Sequence, residues 1–82
     1  MKNLVWLICY EWWANSEMVS ENFPKYNLTV YKGISGRKAY EIKEQAEKYS
    51  PYDYLDFDTF ESEQEFNEKL EYLLAMGAVL KQ

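Results

Sequence analysis

The chain has 82 residues, enough for one domain and too few for two. Its 48% hydrophobic and 18% aromatic content excludes a disordered tail, and its 14 acids against 9 bases exclude a general nucleic-acid-binding module, which needs a basic face. With no His and one Cys, histidine-based catalysis, an intrachain disulfide and a thiolate metal cluster are excluded as well.

The chain starts with an apolar run, Leu4 to Tyr10, which has the flavour of a signal peptide. Glu11 interrupts it, and Trp12 and Trp13 stand where small residues would mark cleavage. No run approaches the roughly 20 apolar residues of a membrane span. A cytoplasmic protein is therefore expected, and Asn27-Leu28-Thr29 is read as a chance match to the glycosylation sequon.

Leu4 to Ala14 reads as a strand. Leu4, Trp6, Ile8, Tyr10 and Trp12 alternate with Val5, Leu7, Cys9 and Trp13, so both faces are apolar and the strand is expected to be central. Cys9 in its middle is expected to be an inert thiol. Asn15 to Lys25 reads as a polar connection, with Ser16 able to cap one helical turn and Phe23-Pro24 ending it. Asn27 to Lys32 is a second strand, rich in β-branched and aromatic residues. Gly33 and Gly36 then bracket a turn.

Ser35 is placed to cap a helix reaching Tyr49, with the stripe Ala39, Ile42, Ala46 and Tyr49 toward the core. Arg37 and Lys38 beside that helix start offer a weak anion site, against the plainer reading of an N-cap. Ser50-Pro51 stops the helix. Tyr52 to Phe60 alternates again: Leu55 and Phe57 on a buried face, Tyr52, Tyr54, Asp56 and Asp58 on a wet, acidic one. Ser62 to Glu65 forms a capping box for a second helix, whose stripe is Phe66, Leu70, Leu73 and Leu74. Gly77 suits the residue past its end, leaving Ala78-Val79-Leu80 as a short last strand, unless the helix runs on. The expected fold is a single α+β domain over residues 1–82. It has a small, mostly antiparallel sheet of three or four strands, with two helices packed on one face.

The charge is local. Residues 53–71 hold eight acids and one base, while the first 52 residues hold six acids and seven bases. Asp56 and Asp58 share a strand face, and Glu61, Glu65 and Glu68 fall at helix steps of four and three. One reading is a solvated face that keeps an aromatic-rich chain soluble. Another is a docking surface for a basic partner, with the nearby Tyr rings adding anchoring area. A third is a metal site of Asp56, Asp58 and Glu61, which lacks the turn glycine and closing glutamate of a calcium loop. Of Trp12 and Trp13, neighbours on a strand, one is expected to be exposed and able to anchor a partner.

No nucleophile–base pair stands out, so the chain reads as non-enzymatic and without a cofactor. In size, single-domain α+β build, local acidity and lack of a catalytic set, it is similar to small acidic proteins of phages and mobile elements. Those proteins bind and block nucleic-acid-processing machines such as CRISPR effectors. The resemblance implies an inhibitor that mimics nucleic acid and occupies a basic groove of a partner protein. The expected contact residues are Trp12, Tyr52, Asp53, Tyr54, Asp56, Asp58, Glu61, Glu65 and Glu68. Nucleic acid and membrane are not expected as direct partners. The alternative is a self-associating structural or regulatory subunit, a homodimer for instance, joined through exposed Trp and sheet edges.

Overall fold

A computed structural model describes residues 3–14, 18–20, 23–24 and 26–81. Strand β1 (Leu4–Trp12) lies between β5 (Tyr54–Phe60) and β4 (Asn27–Ser35), and β6 (Val79–Leu80) closes the other side of β4. β1 runs antiparallel to both neighbours, and β6 runs parallel to β4. Two short strands, β2 (Met18–Ser20) and β3 (Phe23–Pro24), pair with each other in a separate ladder within the segment read as a polar connection, so Phe23-Pro24 belongs to a strand and does not end a helical turn. Ser16, the expected cap of a helical turn there, lies outside the described residues. The helices are α1 (Gly36–Tyr49) and α2 (Glu63–Ala75). The domain is thus α+β with a small, mostly antiparallel sheet and two helices, as its patterning indicates.

The helices divide between the two faces of the sheet instead of sharing one. β4 and β5 are parallel to each other, both being antiparallel to β1, and α1 carries the chain from β4 across to β5. From there α2 carries it back across the sheet to β6. Crossovers between parallel strands are right-handed, so two crossovers travelling in opposite directions place their helices on opposite faces. The side chains agree. Ile8, Tyr10, Leu28 and Val30 form one core with Phe66 and Leu73 of α2, joined by Trp6, Trp12 and Phe60. On the reverse face Leu7 and Cys9 are buried, as is Ala39 of α1. There Lys43 of α1 sets its ammonium 6.0 Å from the ring centroid of Phe57, the cross-strand partner of Cys9. β1 has fully buried side chains on both faces, Leu7 and Ile8, because each face has its own helix.

Local signals set the ends of the elements. Ser35 accepts the N–H of Lys38 at 3.1 Å and caps α1, while Ser50, in extended backbone, ends it. Tyr49 stays two-thirds exposed and does not join the stripe expected of it. Ser62 accepts the N–H of Glu65 at 3.3 Å and caps α2. At its far end Gly77 takes φ 105°, and Ala78 and Gly77 donate to the carbonyls of Leu73 and Leu74. That nested pair of bonds releases the chain from α2 into β6. Gly33 and Gly36 do not bracket a turn. β4 continues to Ser35, and α1 begins at Gly36. Gly33, at φ 61°, instead sits in a bulge: Val5 faces Ile34 and Leu7 faces Tyr31, so β4 spends one residue more than β1.

Candidate partner-docking site

The register of β5 against β1 builds the centre of the site. Tyr54 lies opposite Trp12, Asp56 opposite Tyr10 and Asp58 opposite Ile8, so all of these stand on the α2 face of the sheet. The rings of Trp12 and Tyr54 stack at 5.3 Å and 21°. Tyr26 meets Trp12 edge-on at 5.1 Å and Tyr10 at 5.3 Å. The Tyr10 hydroxyl donates to Oδ2 of Asp58 at 2.8 Å. Asp56 is exposed, and its Oδ1 accepts the N–H of Phe57 at 2.9 Å. Between this row and α2 lies an open cleft of about 270 Å³, lined by Tyr10, Trp12, Tyr26, Asp56, Asp58 and Lys69, among others. Carboxylates are acceptors only, and the faces of aromatic rings are electron-rich, so the cleft suits a cationic side chain.

Glu65 and Glu68 are exposed on α2 and lie outside the lining of the cleft. Glu65 is one helical turn before Lys69, a cleft-lining residue, and Glu68 lies three residues on from Glu65. Glu68 accepts from the side-chain amide of Gln64 at 3.5 Å. Lys69 holds its ammonium 5.7 Å from the centroid of the Tyr72 ring. Among the described residues the ion pairs are Arg37 with Glu41 and Lys81 with Glu11, and neither involves the acids of the cleft.

Three of the expected contact residues lie elsewhere. Asp53 accepts the N–H of Ala14 at 2.8 Å and fastens the chain after β1. Tyr52 precedes β5 and packs its ring, tilted by 33°, against Trp13 at 4.6 Å, with the Lys81 ammonium 5.1 Å from its ring centroid. Glu61 lines a different hollow with Leu4 and Trp6, at the opposite end of β5 from Tyr54. Of the two neighbouring tryptophans, Trp13 is the exposed one, at 43%, and Trp12 is half-buried.

The α1 face holds a constellation that sequence reading passed over. Glu11 is 8% exposed. Its Oε2 accepts the Ser50 hydroxyl at 2.8 Å, and its Oε1 lies 3.4 Å from the Lys81 ammonium. One carboxylate therefore ties β1 to the end of α1 and to the chain just past β6. The available signal was an acid inside an otherwise apolar strand, which must be paired if it is buried. Burial, with help from Glu11 and against the pull of Lys81, pushes the Cys9 thiol up to about 12, so it is no nucleophile at neutral pH. Burial and then the bond to Asp58 raise the Tyr10 hydroxyl well above the ordinary phenol value. Burial, then Cys9 and Glu11, raise Tyr31. Burial pulls Lys81 down, but Glu11 and Tyr52 outweigh it, and its net shift is upward.

Among the described residues no group of three or more His, Cys, Asp or Glu side chains could hold a metal ion. No helix among them is long and apolar enough to cross a membrane. The chain matches no protein-family model, and neither the curated proteins nor the solved structures contain a match to it.

Proposed function

We propose that this chain is a non-enzymatic, acidic binding protein. It docks the face made by Trp12, Tyr54, Asp56 and Asp58, flanked by Glu65 and Glu68, onto a basic groove of a partner protein. The groove is one that otherwise grips a nucleic-acid backbone, which makes the chain an inhibitor of the kind phages and mobile elements direct at nucleic-acid-processing effectors.

One observation carries the reading: the acids of β5 and α2 fall on one side of the sheet, and Asp56 and Asp58 line an open cleft beside aromatic rings. β5 and α2 together hold six acids and one base, whereas α1, on the reverse face, holds three acids and four bases. A surface with its charge on one side orients a charged partner before contact, and stacked rings at the centre supply an anchor afterwards.

A labelled oligo-arginine peptide is a sufficient probe. Its affinity is expected to fall as salt is raised. It is also expected to fall in the variant Asp56→Asn/Glu65→Gln/Glu68→Gln, and to survive in the charge-matched Glu41→Gln/Glu44→Gln/Glu47→Gln of α1. Affinity that ignores salt, or equal loss in the two variants, removes the basis of the proposal.

A second reading, self-association, draws on the exposure of Trp13 at 43% and of Tyr49 at 67%. Sedimentation of the pure protein tests it, since a monomer at micromolar concentration excludes a stable homodimer.

A further inference from the structure

β5 ends the strand order, and among the described residues no strand pairs with its outer side. A seven-residue strand at an edge presents backbone donors and acceptors that can pair with another chain, once the Phe57 N–H is released from Asp56 Oδ1. We propose that the partner engages here by strand addition: a partner segment pairs along the outer side of β5, and its side chains alternate basic and apolar. This rests on the docking reading above and specifies the chemistry of what docks.

The alternation follows from β5 itself. Residues directly opposite each other in a sheet share a face. A strand added to β5 therefore sets every second side chain in line with Tyr54, Asp56 and Asp58, and the others in line with Leu55, Phe57 and Thr59. On the first face Lys or Arg meets carboxylates and can lay its stem across the Tyr54 ring, which is 49% exposed. On the second face Leu55 and Phe57 are only half-buried, and apolar partners complete their cover.

The same row argues against a second copy of this chain as the occupant. Two β5 strands paired antiparallel about Phe57 oppose Asp56 to Asp58. Centred on either aspartate, the register opposes that residue to itself. Each arrangement puts like charges directly across from one another, which destabilises a strand pair. The edge is thus open to a basic strand and guarded against its own kind.

The test uses the full chain and three labelled peptides matched to β5 in length. One alternates Lys and Val, one carries the same residues in blocks, and one is the alternating sequence N-methylated at every second residue to remove backbone donors. The alternating peptide is expected to bind roughly tenfold more tightly than either of the others. In Asp56→Lys the preference is expected to shift toward an alternating Glu and Val peptide. Equal, salt-sensitive binding of all three Lys peptides would overturn strand addition while leaving charge-led docking standing. Binding by none of them would overturn both. A salt-resistant dimer whose β5 amides are protected from exchange would show that a second copy holds the edge, and would overturn the proposal too.

Discussion

Asp56 and Asp58 are indistinguishable in the sequence, two residues apart on one strand face, yet the fold gives them different work. Asp58 is half-buried and holds the Tyr10 hydroxyl, while Asp56 stands in solvent. Tyr10→Phe removes a donor from a charged acceptor and is expected to cost about 2 kcal/mol in urea unfolding. Tyr54→Phe, at an exposed hydroxyl, is expected to cost next to nothing, and equal losses would refute the assignment. The pH profile follows from the same side chains. Cys9, Tyr10, Tyr31 and Lys81 all have folded values above their ordinary ones, so the folded chain holds protons that the unfolded chain has released. Stability carried by such groups is complete below their unfolded values and is lost as pH rises through the folded ones. With no histidine to titrate, the urea midpoint is expected to stay level around neutrality and to drop once pH passes about 9, the ordinary thiol value. A thiol reagent is expected to reach Cys9 only after unfolding. Glu11 shows the limit of reading residues singly. Its partners stand 39 and 70 positions away, and nothing local reveals them.

Element ends were legible wherever the deciding bond is local. Ser35, Ser62 and Gly77 each act within a few residues, and each does what its position implies. The bulge at Gly33 was not legible, because a bulge is a mismatch between two strands and exists only once β4 lies against β1. Tyr52 was misplaced for a related reason. Alternation extrapolated backward from Tyr54 assigns it to the acidic face, but the strand starts only at Tyr54, and the chain before it turns toward Lys81. Gly33 gives a clean test of the bulge. An added Cβ meets nothing closer than Leu4 Cδ1 at 3.9 Å, so space is available and only the backbone angle resists. Gly33→Ala is then expected to cost about 1 kcal/mol, the penalty of the left-handed region. Gly33→Asn, which tolerates that region better, is expected to recover part of it. If Asn and Ala are equally costly, the backbone angle is not the reason glycine stands there.

At the scale of the molecule, the doubly apolar pattern of β1 marked it as central, but the expected arrangement set both helices on one face, whereas a strand that buries Leu7 and Ile8 has a helix over each. What the pattern could not supply was the direction of each crossover, which depends on the order of strands in space. That direction separates the charges. With α2 on the same face as Asp56 and Asp58, the acids of β5 and α2 fall on one side of the sheet, and their mutual repulsion works against folding. The same crowding draws a basic partner. Salt should therefore act on the two properties in opposite senses. Screening relieves repulsion within the folded chain, so the urea midpoint is expected to rise as salt is added from a low starting concentration. It also weakens attraction to an oligo-arginine peptide, so affinity is expected to fall over the same range. Removing charge at the flank reproduces both effects without salt. Glu68→Gln is expected to stabilise the fold by a few tenths of a kcal/mol and to weaken peptide binding. If Glu68→Gln instead lowers stability, the carboxylate is held by favourable contacts within α2 and is not a charge kept in place for a partner.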